Sequence, residues 1–207
     1  FGTSFLVSLS GAVSPGPLLA FNIRETVRRG FMAGPFVVMG HSLLELVVVA
    51  ALALGLIQLL DSAPAMTTIG ILGGSFLIWM GWGMLRNPGR GAPTTEHHYG
   101  ASHGGVTVPI VGGILVSLSN PYWAIWWITV GAAFMTQSLE LGLVGIGAFY
   151  LGHILSDFSW YSLVSATLTS GRRFITYRLY RGIMLGCGTF LALMGAYFIA
   201  TGLDALS

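Results

Sequence analysis

Long apolar stretches separated by short polar loops run along the whole chain. Six of them approach or exceed the ~20 residues a helix needs to cross a hydrocarbon core of ~30 Å. They run about Phe1 to Phe21, Phe36 to Leu60, Thr68 to Leu85, Pro109 to Met135, Leu141 to Thr167 and Gly182 to Leu203. The pattern predicts an all-α integral membrane protein with six transmembrane helices.

The stretches also repeat. Val7-Ser8-Leu9-Ser10 is matched by Val116-Ser117-Leu118-Ser119. Gly40-His41-Ser42-Leu43-Leu44-Glu45 is matched by Gly152-His153-Ile154-Leu155-Ser156-Asp157. Gly74 to Gly81 is matched by Gly188 to Gly195. An odd number of crossings per repeat inverts the second copy, which is an architecture of secondary transporters. The division expected is 1–86 as the first three-helix repeat, 87–108 as a linker and 109–207 as the second, inverted repeat.

Composition supports a bilayer environment. Only 8% of residues are charged and 54% are hydrophobic, against about 25% charged in an ordinary soluble domain. No lysine occurs, and the nine basic residues are all arginine. Arg24, Arg28 and Arg29 follow the first stretch, Arg86 and Arg90 the third, and Arg172, Arg173, Arg178 and Arg181 the fifth. The positive-inside rule places those loops in the cytoplasm and both termini outside it, in a cell inner (plasma) membrane. The last group is dense enough to touch lipid head groups. Positive charge is not gathered on one helix or arm, so no nucleic acid partner is expected. The single cysteine, Cys187, lies in an apolar run and reads as a packing residue. No cleavable leader is evident.

Two carboxylates fall inside apolar stretches, Glu45 in the second and Asp157 in the fifth. A charge at the bilayer centre costs at least ~2.5–3.5 kcal/mol, so such residues are candidates for function. Each has a histidine four residues earlier, His41 and His153, on the same helical face. Such pairs can relay protons, hold a cation or bind an ammonium group. Because the second repeat is inverted, the histidines are expected on opposite sides of a central acidic site.

Prolines break two stretches. Ser14-Pro15-Gly16-Pro17 lies deep in the first, and Asn120-Pro121 lies in the fourth. Proline removes a backbone donor, and freed backbone groups at membrane depth must be buried or line a cavity. Matching broken helices therefore point to a binding site. Tyr122, Trp123, Trp126 and Trp127 either wall that pocket or form an interfacial belt. Gly70-x-x-x-Gly74 and Gly182-x-x-x-Gly186 read as close helix contacts. The stretch from Asn87 to Thr107 holds His97, His98 and His103; it reads as a linker or, more sharply, as a weak metal-binding tract.

Together these residues resemble the lysine exporter (LysE/RhtB) translocator family. The resemblance rests on Ser14-Pro15-Gly16-Pro17, on Arg28-Arg29-Gly30 with Gly34, and on Asn120-Pro121. Glu45 stands where that family often has an aspartate, and Tyr122 where a lysine often follows Asn-Pro. The resemblance implies a six-helix, proton-driven exporter of amino acids or related small amines. The substrate and proton site would then combine His41, Glu45, His153, Asp157, Ser14, Pro15, Gly16, Pro17, Asn120 and Pro121. The alternative is a divalent metal exporter using His41, Glu45, His153 and Asp157 as ligands. No cofactor is expected, nor an enzyme, since no nucleophile-base-orienter arrangement is evident. Expected partners are a small-molecule substrate, the lipid bilayer and protons as coupling ion, with room for a homo-oligomer.

Overall fold

The computed structural model describes residues 1–13, 16–55, 63–89, 105–171 and 176–204. Among them the regular structure is entirely helical. Ser14, Pro15, Arg90, His97, His98, His103, Arg172 and Arg173 lie outside the described residues.

The first apolar stretch forms two helices, α1 (Gly2–Val13) and α2 (Pro17–Arg29), whose axes differ by 75°. Pro17 opens α2, a position where its missing N–H costs nothing. α3 (Ala33–Ala53) is continuous. The third stretch is α4 (Ala63–Thr68), a wide π turn at Ile69–Gly73, and α5 (Gly74–Arg86). The fourth bends by 69° between α6 (Thr107–Leu118) and α7 (Pro121–Trp126). Asn120 caps α7, its side-chain oxygen accepting from the Tyr122 N–H at 3.1 Å. A second π turn, Trp127–Gly131, leads to α8 (Ala132–Leu139). α9 (Gly142–Ser170) and α10 (Tyr177–Asp204) complete the chain.

Contacts between the halves come in matched sets. α1 packs on α9 and α6 on α3, while α5 packs on α10. Gly40 meets the backbone of Ile110, and its counterpart Gly152 meets the backbone of Phe1. A Cβ at either glycine would collide with main chain, so both helix pairs need hydrogen there. In the α5–α10 pair, Gly74 lies against Gly195 and Gly81 against Gly188. The repeated Gly74–Gly81 and Gly188–Gly195 patterns are therefore two faces of one antiparallel contact. Gly70 also packs on α10, but Gly182 and Gly186 have open space beside them, so that expected helix contact does not form among the described residues. Cys187 packs half-buried against the core.

Among the described residues, α3 and α10 are each long and apolar enough to cross a bilayer, and the number is four if the bent pairs α1–α2 and α6–α8 are each one span. α9 is 29 residues long but is not among them. Its buried face carries His153, Ser156, Asp157 and Ser165, which lowers its apolarity while keeping the polar groups away from lipid. The first stretch also extends eight residues beyond Phe21, because the polar turns at Asn22, Glu25 and Thr26 are buried in α2. Thr26 and Asn22 bond Ser165 of α9 at 2.8 and 3.3 Å.

Candidate functional site

Glu45, Asp157, His41 and His153 are all buried, and their side chains converge where α3 and α9 face each other. His41 Nε2 lies 3.0 Å from Glu45 Oε1, and His153 Nε2 lies 2.9 Å from the same oxygen. Asp157 Oδ2 stands further off, 3.8 Å from His41 Nε2 and 3.7 Å from His153 Nε2. Each histidine thus stands near both acids, closer to Glu45 than to Asp157. Side-chain length accounts for the asymmetry: the extra methylene of Glu45 carries its carboxylate to both imidazoles, and the shorter Asp157 falls short.

Glu45 Oε1 also receives the indole N–H groups of Trp123 at 3.4 Å and Trp127 at 3.3 Å. These tryptophans are one turn apart, which puts both on one face. Trp126 packs its ring against His153, with centroids 4.8 Å apart. The aromatic cluster of the fourth stretch therefore walls the site. Glu45 Oε2 and Asp157 Oδ2 are buried and have no hydrogen-bond partner among the described residues.

Each histidine is held from behind by a serine of the repeat. His41 Nδ1 meets Ser117 Oγ at 2.6 Å, and His153 Nδ1 meets Ser8 Oγ at 2.5 Å. Ser117 gives its hydroxyl proton to the Gly113 carbonyl at 2.7 Å. Its oxygen must then accept from His41, which fixes the proton of that ring on Nδ1. His41 Nε2 is then the ring nitrogen that faces Glu45 Oε1, at 3.0 Å.

A cavity of about 450 Å³ opens on this cluster. It is lined by all four ionisable residues together with Ser8, Ser117, Gly16, Pro17 and Asn120. Trp123, Trp126 and Tyr161 add an aromatic wall. Pro121 is buried behind Asn120 at the start of α7. Both helix breaks thus reach the cavity through described residues, with Ser14 and Pro15 outside that description. Sequence reasoning missed Ser8 and Ser117 as site residues, although they stand at matching places in the first pair of matched motifs. It also missed Glu25, which is fully buried and contacts Arg24 and Arg29.

Buried ionisable groups around a cavity between broken helices have the anatomy of a transport site. A family model matches residues 9–202 and gives the class: this chain is a membrane translocator. The matching description is LysE type translocator, and the chain belongs to that family. No match was found among curated proteins or among solved structures.

Proposed function

We propose that the chain is a proton-coupled exporter of amino acids or related small amines, with His41, Glu45, His153 and Asp157 as its proton and ammonium site. The observation that carries this reading is the pair of unpartnered acid oxygens on Glu45 and Asp157, residues that line a cavity large enough for a small solute. An ammonium group brings three donors and no acceptor, which suits two acceptors without donors. A carboxylate would go to the first turn of α2, whose start at Gly16 and Pro17 borders the same cavity.

Six spans in two inverted repeats, 1–86 and 109–207 joined by 87–108, suit this site. The exchanged contacts of α1 with α9 and α6 with α3 support that arrangement. They bring each serine to the histidine of the other half. The arginine loops would face the cytoplasm of a plasma membrane, with both termini outside. Protons entering down their gradient would exchange with substrate at the cluster, since one unit of charge moved through 100 mV supplies ~2.3 kcal/mol.

A divalent metal exporter is the second reading. One ligand atom each from His41, Glu45 and Asp157 lies within 4.8 Å of the others, and imidazole with carboxylate suits several divalent cations. A thermal-shift screen of amino acids, amines and divalent metals separates the two. Stabilisation by an amine-bearing solute, lost in Glu45→Gln and in Asp157→Asn, is expected. Stabilisation by zinc, nickel or cobalt alone would replace the first reading with the second.

A further inference from the structure

A second cavity, of about 770 Å³, lies between α2, α5, α6 and α10, and none of the four residues of the ionisable cluster lines it. Its two ends differ in chemistry. Arg24, Arg28 and Arg86 line one end, where the last turns of α2 and α5 meet the first turn of α6. The remainder is apolar and opens sideways. Trp79 is 69% exposed there, and Trp82, Val108, Val111 and Leu115 are exposed as well. In a membrane translocator, exposed apolar side chains of this kind face hydrocarbon.

The basic end carries more positive charge than its neighbours neutralise. Glu25 is the acid beside it, and its Oε2 is taken by Arg29 Nε. Its other oxygen stands 3.5 Å from Arg24 Nη1 and 3.9 Å from Arg28 Nη1, without a hydrogen bond. Arg86 has no ion-pair partner among the described residues. Arg24 and Arg28 are one turn apart and present their guanidinium groups from the same side of α2. Guanidinium forks of this kind match phosphate oxygens.

We infer that this groove is a binding site for an anionic phospholipid. The headgroup phosphate lies among Arg24, Arg28 and Arg86, and an acyl chain follows Trp79, Val111 and Leu115. From Val108 to Leu115 the α6 wall runs about 10 Å at 1.5 Å per residue, a length along which part of an acyl chain can lie. The site needs only the membrane class of the chain and is independent of what the ionisable cluster transports.

The test is thermal unfolding of the purified chain in neutral detergent, titrated with phosphatidylglycerol or phosphatidylcholine. Phosphatidylglycerol is expected to raise the melting temperature and phosphatidylcholine to leave it unchanged. Arg24→Gln with Arg86→Gln should weaken the phosphatidylglycerol response about thirtyfold, at about 1 kcal/mol per arginine. Arg86→Gln alone gives a smaller loss without touching the Glu25 pairings. Val111→Trp, which fills the groove with every arginine in place, should also abolish the response. Arg178→Gln, on the exposed start of α10, should retain it. Equal responses to both lipids, or an unchanged response in the double variant, would overturn the site. So would a full shift with inorganic phosphate alone, which would mark a soluble-anion site.

Discussion

His153 Nε2 lies 2.9 Å from Glu45 Oε1, joining residues 108 positions apart on two helices that each bury only one acid. His41, on the helix of Glu45 itself, reaches the same oxygen at 3.0 Å. One carboxylate oxygen is therefore the meeting point of both His-acid motifs, and Asp157 is the acid held in reserve 3.7–3.8 Å away. This inequality distinguishes the two acids experimentally.

Replacing Glu45 should cost more than replacing Asp157. Glu45→Gln keeps the shape but removes the charge that both imidazoles and two indoles address. At about 1.5–3 kcal/mol per charge-assisted bond, transport should fall at least tenfold to a hundredfold. Glu45→Asp retracts the carboxylate by one methylene and should lose most of the activity too. Asp157→Glu extends the second acid towards the histidines and should tighten binding of a cationic ligand. Flux in reconstituted vesicles and ligand titration by thermal shift read these outcomes.

The imidazoles are the groups of the cluster whose ordinary titration falls between pH 5 and 8. His41→Asn should flatten the dependence of transport on pH across that window, because it removes a titratable ring 3.0 Å from Glu45 Oε1. His153→Asn should flatten it as well, with a further loss of ring packing against Trp126. Initial rates measured at several symmetric pH values, with no gradient, isolate this effect from driving force.

The serines position the histidines. Ser117→Ala leaves His41 Nδ1 buried without an acceptor, at a cost of about 1–3 kcal/mol. The pH profile of transport should shift with it, since the ring is then free to change tautomer. Ser117→Thr keeps the hydroxyl and should restore both stability and profile. Ser8→Ala should be milder, because among the described residues no backbone carbonyl fixes the Ser8 proton as Gly113 fixes that of Ser117.

Much of this site is legible along the chain because the acids and histidines are costly where they stand. A carboxylate in an apolar stretch needs a reason, and a repeated His-acid spacing supplies one from the sequence alone. The break at Asn120-Pro121 is equally plain, since proline cannot continue the preceding hydrogen-bond ladder. Four things are hidden. Whether Trp123 and Trp127 face lipid or Glu45 depends on the rotation of the fourth stretch past its bend. The serine partners are hidden because a serine in an apolar helix is inexpensive and its bond crosses to the other half. The placement of both histidines on one acid depends on the length difference between Glu and Asp acting across α3 and α9. The extension of the first stretch to Arg29 is hard to read because Glu25 looks like a loop charge until its arginine neighbours are seen around it.

The glycine contact of α5 with α10 should govern folding rather than transport. Gly195→Val places a branched side chain against the Gly74 backbone, and overpacking of this kind costs about 1–3 kcal/mol or more. Gly186→Val, with open space beside the glycine, should leave thermal stability within about 1 kcal/mol of the parent chain, near what the change in helix propensity allows. Melting temperatures of the two variants in the same detergent make the comparison.

The most direct measurement of the central claim is flux through the purified chain in sealed vesicles. Vesicles loaded with labelled amino acids or amines are given an imposed proton gradient, and both solute release and internal pH are followed. Solute release tied to proton movement in the opposite direction is expected, with both signals lost together in Glu45→Gln. Solute flux that ignores the gradient, or flux and proton movement that persist unchanged in Glu45→Gln, would contradict it.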